Sequence, residues 1–367
     1  MIKHVISVSG GKDSQAVVLI ALARVPIDSL IFIFCDTGNE HDLVYQHLDY
    51  LENRLGIVIV RLKANFDDRI AAKRLFIARD RRIKRVYETV PVFEKDGKTK
   101  VLKRDGFNNI VTRKVYKDGL LIDEPVQKTK KIGGGRLVRW SNKAKQRVLK
   151  HLIPTGIPYL DLCMWKGRFP SRKAQFCTQE LKTAIAVEFQ IDLVDAGYSV
   201  ISWQGIRRDE SESRKDAKLY ERIGRRMWVF RPIIHSTAQQ VVDFSLSKDT
   251  RLCALYSMGM GRVGCMPCIN AGKEELRQIA LRCNDHVVRI SEWELIVALC
   301  SKRGLATFFA APGLENYMAA KRDVFEVIKW AKTTRGGRQM DLLGDLDSPT
   351  SCSSSYGLCD QPSAVVV

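Results

Sequence analysis

Along the first 62 residues, short apolar runs take turns with longer mixed stretches. His4–Val8, Leu30–Phe34 and Val58–Leu62 are largely apolar, the pattern of strands buried on both faces. Ser14–Arg24 and Glu40–Leu55 lie between them and read as helices. This alternation predicts a βαβαβ unit, and with it an α/β fold built on a doubly wound parallel sheet. Tyr198–Trp203 predicts a further strand, and Thr178–Phe189 a helix ahead of it. Downstream, His235–Ser245, Lys273–Arg282 and Ser291–Lys302 predict a helical region. Between the two α/β stretches, Tyr87–Val92 and Asn109–Tyr116 predict strands of a small hairpin module. Five stretches result: 1–66, the first part of the α/β domain; 67–150, an insertion, partly β and partly flexible; 151–232, the second part; 233–332, helical and cysteine-bearing; and 333–367, a Gly-, Ser- and Asp-rich flexible tail.

Charge singles out the insertion. The 367-residue chain has a formal net charge of +19. Residues 67–150 hold 25 Lys/Arg against 10 Asp/Glu, a surplus of +15. With Phe107, Tyr116 and Trp140 interleaved, this stretch fits a DNA or RNA surface; the alternative is a solvated basic face that aids solubility. Hydrophobic content of 45% supports a sizeable core. No apolar run of about 18 residues or signal-peptide pattern is present, so no membrane partner is expected. Ten cysteines point to a reducing, cytoplasmic compartment and to metal or redox chemistry rather than a disulfide framework.

Ser9-Gly10-Gly11-Lys12-Asp13-Ser14 joins the first strand to the first helix. Free N–H groups and the positive end of the helix dipole meet in such a turn and make an anion site. Gly10 and Gly11 admit a phosphate close to the backbone, Lys12 adds a mobile charge, and Ser14 caps the helix or touches the phosphate. The turn is too short for a Walker A loop and lacks its closing Gly-Lys-Ser/Thr. Asp36-Thr37-Gly38 ends the second strand, at the rim where open α/β sheets bind ligands, unless Asp36 and Thr37 only cap a turn. Gly205, Arg207 and Arg214 leave the end of strand Tyr198–Trp203. The arginines are candidate phosphate or sulfate ligands, or salt-bridge partners of Asp209 or Glu212. Cys177 at a predicted helix N-terminus is expected to lean toward thiolate. Cys265 and Cys268 form a Cys-x-x-Cys with Pro267 inside: a metal or cluster knuckle, or a redox dithiol. With Cys177 as third ligand and Cys253, Cys352 or Cys359 as fourth, four cysteinates would bind a [4Fe–4S] cluster or zinc. Cys163, Cys283 and Cys300 are expected to pack in the interior.

Taken in order, the loop Ser9–Ser14, Asp36-Thr37-Gly38, Phe176-Cys177-Thr178 with Lys182, Trp203-x-Gly205-x-Arg207 with Glu210-Ser211, and Gly264-Cys265-x-x-Cys268 resemble the PP-loop superfamily. Within it they resemble the phosphoadenosine phosphosulfate (PAPS) reductase family. The resemblance covers 1–66 and about 154–270 and implies an adenine nucleotide alpha hydrolase-like fold. It implies a PP-loop nucleotide site made of Ser9–Ser14, Asp36, Thr37, Gly38, Gly205, Arg207 and Arg214, with Lys12 catalytic. It further implies PAPS as substrate, a tail thiolate, Cys359, as nucleophile, and a thioredoxin-like reductant. Cluster-bearing relatives have Cys-Cys where this chain has Phe176-Cys177, and relatives lacking a cluster lack the Cys265–Cys268 knuckle. A complete Ser-Gly-Gly-Lys-Asp-Ser beside a knuckle also resembles the ATP pyrophosphatases of DNA phosphorothioation and tRNA thiolation. That alternative implies ATP with Mg²⁺ held by Asp13 or Asp36, and a nucleic-acid acceptor on the insertion. A third class is a nucleic-acid-binding protein with nucleotide as a structural ligand. An oligomer is compatible with all three.

Overall fold

In the computed structural model, residues 1–80, 84–117, 120–138, 140–309, 323–333, 356 and 358 are described. They fall into two compact units, 1–75 with 146–367, and 76–145. The larger opens with β1 (Ile2–Ser7), α1 (Lys12–Arg24), β2 (Leu30–Asp36), α2 (Asp42–Leu55) and β3 (Ile59–Lys63), each within a few residues of its sequence pattern. Then α3 (Asp67–Arg79) leads into the insertion, whose strands are β4 (Lys84–Pro91), β5 (Thr112–Lys117), β6 (Leu120–Pro125) and β7 (Thr129–Val138). Two helices, α4 (Asn142–His151) and α5 (Pro158–Lys166), follow.

After α5, a short helical turn, α6 (Phe176–Thr178), passes through a π turn (Gln179–Thr183) into α7 (Ala184–Asp195). The sheet resumes with β8 (Ser199–Trp203), β9 (Tyr220–Arg222) and β10 (Met227–Phe230). The chain continues through α8 (Ala238–Ser247), α9 (Lys273–Arg282), α10 (Asn284–Cys300) and α11 (Val324–Ala331). Expectations change in several places. The helix expected from Ser291 begins at Asn284, because Cys283 alone separates it from α9. β9 was not expected; it is polar, and pairs antiparallel to β10 at the sheet edge.

The six-stranded sheet has the order β3-β2-β1-β8-β10-β9, parallel except for β9. Strand alternation sends side chains to two cores. Ile6, Phe32, Phe34 and Trp203 pack with Val17, Leu48 and Val241 from α1, α2 and α8. Val5, Ile33 and Val200 face the other way, toward Ala186, Phe189 and Leu193 of α7. β1 lies at the centre, paired with β2 through His4–Ser7 and with β8 through Ile2–Ile6. Helices on both faces leave the C-terminal strand ends as the open rim. No helix among the described residues is long and apolar enough to cross a membrane.

Within the insertion, β4 pairs antiparallel with β7, and β5 with β6. β7 runs through Gly133-Gly134-Gly135. Between these ladders, bonds such as Val92 N–H to Lys128 O (2.9 Å), Val101 N–H to Val92 O (3.1 Å) and Val126 N–H to Val111 O (2.9 Å) knit the hairpins together. None of the described side chains from 84 to 138 is buried.

Candidate functional site

The turn after β1 is closed on itself. Gly10 is left-handed (φ +73°), and a Cβ there would lie 2.9 Å from Val44 Cγ1, so glycine is required. Ser14 Oγ donates to the Gly11 carbonyl (2.8 Å) and accepts from the Ser9 N–H (3.0 Å). Lys12 is only 4% exposed. Its N–H donates to the Tyr256 hydroxyl (2.9 Å). Its Nζ lies 5.4 Å from the Tyr256 ring centroid, 4.9 Å from that of Tyr356, and 3.7 Å from Asp13 Oδ2. Tyr356 in turn donates to the Gly261 carbonyl (3.0 Å) and meets Tyr256 edge to face. The loop lysine is therefore cradled by two aromatic faces, one from the C-terminal tail.

The segment after β8 lies directly against this loop. A Cβ on Gly205 would fall 3.0 Å from the Asp13 carbonyl carbon and 3.1 Å from the Ser14 nitrogen. That close approach delivers Arg207, 4% exposed, whose Nε donates to Asp13 Oδ1 at 2.6 Å and whose Nη1 pairs with Asp209. Arg214 pairs with Glu210, while Glu212 pairs with Lys215. Burial holds Arg214 below the usual arginine range, and nearby Asp13 opposes this while Arg207 and Arg262 add to it. The sequence placed Arg207 and Arg214 either on an anion or in salt bridges. Both are salt-bridged, Arg207 to Asp13 and Asp209, and Arg214 to Glu210 rather than to Asp209 or Glu212.

On the other side of the loop, Asp36 Oδ1 accepts from the Gly38 N–H (2.9 Å) and the Tyr45 hydroxyl (2.8 Å). Gly38 is left-handed (φ +69°), and Ile157 and Pro158 crowd the place of a Cβ. Thr37 is organised by Glu40, 3% exposed, whose carboxylate accepts from the Thr37 hydroxyl (2.8 Å) and the N–H groups of Thr37 (3.1 Å) and Asn39 (3.2 Å). A cavity of about 230 Å³ opens here, at the ends of β1, β2 and β8, with Ser9, Cys35, Glu40, Lys182, Gln204 and Gly264 among its lining residues.

The cysteines approach this cavity from behind. Cys265 Sγ lies 3.5 Å from Glu40 Oε1 and 3.4 Å from Thr37 Oγ1. Burial pushes its thiol up to about 12, against the pull of Lys182. Burial, reinforced by Cys268, also raises Cys177, which corrects the expectation of a thiolate at a helix N-terminus. Lys182, projecting from the π turn, is held charged first by Cys265, then by Glu40, Cys268 and Cys177, against the opposing effect of burial. Among the described residues, no three Cys, His, Asp or Glu side chains are arranged to hold a metal ion. Cys253 is buried and directed at the Leu43 carbonyl (3.6 Å). Cys352 and Cys359 lie outside the described residues. The described members of the set, Cys177, Cys253, Cys265 and Cys268, are not arranged to fit a cluster or zinc. Cys163, Cys283 and Cys300 are buried.

Four residues went unnoticed in the sequence. Glu40 read as an ordinary acid at a helix start, and Tyr256 and Tyr356 as members of cysteine-rich stretches. Arg289 had no signal: from α10 it donates to Asn39 Oδ1 (3.1 Å) and the Met266 carbonyl (3.0 Å), fastening the Asp36–Glu40 rim to the Cys265–Cys268 turn.

A family model described as the phosphoadenosine phosphosulfate reductase domain matches residues 3–271. A protein of Escherichia phage 186, described as an uncharacterized 37.8 kDa protein in the gpa 5' region, is 37% identical over 371 residues, covering 97% of this chain and 96% of that one. A crystal structure of PAPS reductase from Candida auris, in a phosphate complex, aligns over 72% of this chain and 81% of that one, at 10% identity and a TM-score of 0.36. The matched span takes in the Ser9–Ser14 loop, the Asp36–Glu40 rim, the Gly205–Arg214 segment and the Cys265–Cys268 turn, and the chain belongs to the phosphoadenosine phosphosulfate reductase domain family.

Proposed function

We propose that the chain is a thiol-dependent enzyme that cleaves an adenylyl sulfonucleotide such as PAPS. The observation that carries this reading is Tyr356, whose ring lies against Lys12, the residue expected to meet the phosphates. Cys359 follows three residues later, a reach of at most about 10 Å of extended chain, and Leu358 before it is buried. The phosphates would rest on Ser9–Ser14, with Lys12 and Arg207 countering their charge, and the nucleoside would enter the cavity beside Lys182. A Cys359 thiolate attacks the sulfuryl sulfur, the S–O bond to the phosphate breaks, and its electron pair leaves with the nucleotide. The cysteine S-sulfonate is then reduced by a thioredoxin-like dithiol, which gives up two electrons, becomes a disulfide and releases sulfite. No step is routed through a metal centre on Cys177, Cys265 and Cys268.

One observation favours a second reading. Asp13 sits between Lys12 and Arg207, a carboxylate within the phosphate loop, as an ATP site with Mg²⁺ would use. In that reading ATP is split to pyrophosphate while a nucleic-acid oxygen is activated for sulfur insertion. Anaerobic turnover separates the two. Sulfite from PAPS and thioredoxin, abolished in Cys359→Ser and lowered about 100-fold in Lys12→Ala, is the expected result. Pyrophosphate from ATP–Mg²⁺, stimulated by DNA or tRNA and without sulfite from PAPS, would establish the second reading. Normal turnover by Lys12→Ala would remove the loop from both.

A further inference from the structure

We infer that the insertion is a docking surface for single-stranded nucleic acid, with Phe107 as the residue on which an unpaired base stacks. Phe107 is 89% exposed at the tip of the loop closed by the Arg104–Ile110 bridge. The loop is rigidly built. Asp105 Oδ1 accepts from the N–H groups of Phe107 and Asn109, both at 2.9 Å. Arg104 Nη1 donates to the Asn108 carbonyl (2.8 Å), and Asn108 takes the left-handed conformation (φ +68°). A large apolar ring is thus held out into water by hydrogen bonds, not by packing.

A second aromatic, Tyr116, is 72% exposed on the β5–β6 hairpin, directly across from Leu121, which is 57% exposed. The occupant follows from charge. Residues 76–145 carry 20 Lys/Arg against 8 Asp/Glu, a surplus of +12, and Lys103, Arg104 and Lys114 are exposed on the same hairpins as the two rings. Basic side chains interleaved with exposed rings match a polyphosphate backbone with bases free to stack. A ring on a loop tip stacks on an unpaired base directly, whereas entering a duplex first costs the unstacking of a base step. The core of a protein interface is depleted of charged residues, whereas this unit carries a surplus of +12. The inference is independent of which nucleotide the Ser9–Ser14 loop takes.

The test is fluorescence anisotropy of the full chain with a labelled 20-nucleotide mixed-sequence single strand, as DNA and as RNA, and with the matching duplex. The expected result is that a single strand binds at least about tenfold more tightly than duplex. Its dissociation constant should rise more than about tenfold between 50 and 200 mM salt. Phe107→Ala should weaken it about tenfold and Phe107→Trp should restore it. Because Phe107 touches little, its substitutions leave the thermal midpoint unchanged. No binding at 50 mM salt, duplex bound as tightly as single strand, or Phe107→Ala binding like the parent would each overturn the inference.

Discussion

Leu48 and Tyr116 are both bulky side chains in regular elements, yet Leu48 is fully buried and Tyr116 is 72% exposed. The contrast extends to their units. In the larger one, parallel strands join segments nearly 200 residues apart, and their side chains fill two cores. In the insertion, no described side chain from 84 to 138 is buried, and the backbone bonds link neighbouring hairpins. Packing specifies the first region; turn hydrogen bonds and charge specify the second. The chemistry divides accordingly. A site that must hold an arginine within 2.6 Å of a carboxylate needs a stiff scaffold, whereas a polyanion surface needs only exposed charge and projecting rings.

Substitutions can break this comparison. The largest effect is expected at Leu48. Leu48→Ala should cost about 2–5 kcal/mol in urea unfolding, because the α1–α2 core cannot close over the gap. Next is Gly205→Val, whose side chain would push into the Asp13 backbone. Overpacking of about 1–3 kcal/mol should appear as about 10–100-fold weaker nucleotide binding by calorimetry. Acid sensitivity should map to the larger unit. Burial, helped by Arg251, lowers His47 from 6.5 to about 4. A base depressed in the folded state contributes stability above pH 6.5 and loses it as pH falls toward 4. The urea midpoint should drop between pH 7 and pH 4.5, and His47→Gln, which keeps a partner for Gln15, should flatten that drop. The smallest effects belong to the insertion. Gly106→Ala, where a Cβ meets nothing within 4 Å, and Tyr116→Ser should move the thermal unfolding free energy by less than about 0.5 kcal/mol. A large loss at either would show a core in the insertion.

The same division governs what the sequence made legible. β1, β2, β3 and β8 were readable from their largely apolar runs, although β3 keeps several positions exposed. β6, β7 and β9 were not, since strands such as Thr129–Val138 with its lysines and three glycines satisfy only backbone bonds. At the site, Ser9–Ser14 announced itself through Gly10 and Gly11, which admit a phosphate, and the Gly205–Arg207 segment through its likeness to the family pattern. The structure adds that Gly205 meets the loop itself. Arg289 stayed hidden because its role depends on Asn39, 250 residues away, and Glu40 because its bonds to Thr37 and Asn39 exist only in the folded turn. The Cys177 thiolate expectation failed for a related reason: a helix terminus can be read from sequence, but the burial that outweighs it cannot.

The central position of β1 bears on how the chain is made. Its neighbour β2 is complete by Asp36, but its other neighbour, β8, begins only at Ser199. At about 5–20 residues per second of synthesis, roughly 10–30 s separate the two. Through that interval the nascent protein presents an unpaired apolar strand edge, a template for wrong pairings. The 70 residues of the insertion lengthen the wait. Translation speed upstream of Ser199, and chaperones that shield β1 until then, should therefore influence yield more than any change in the finished rim.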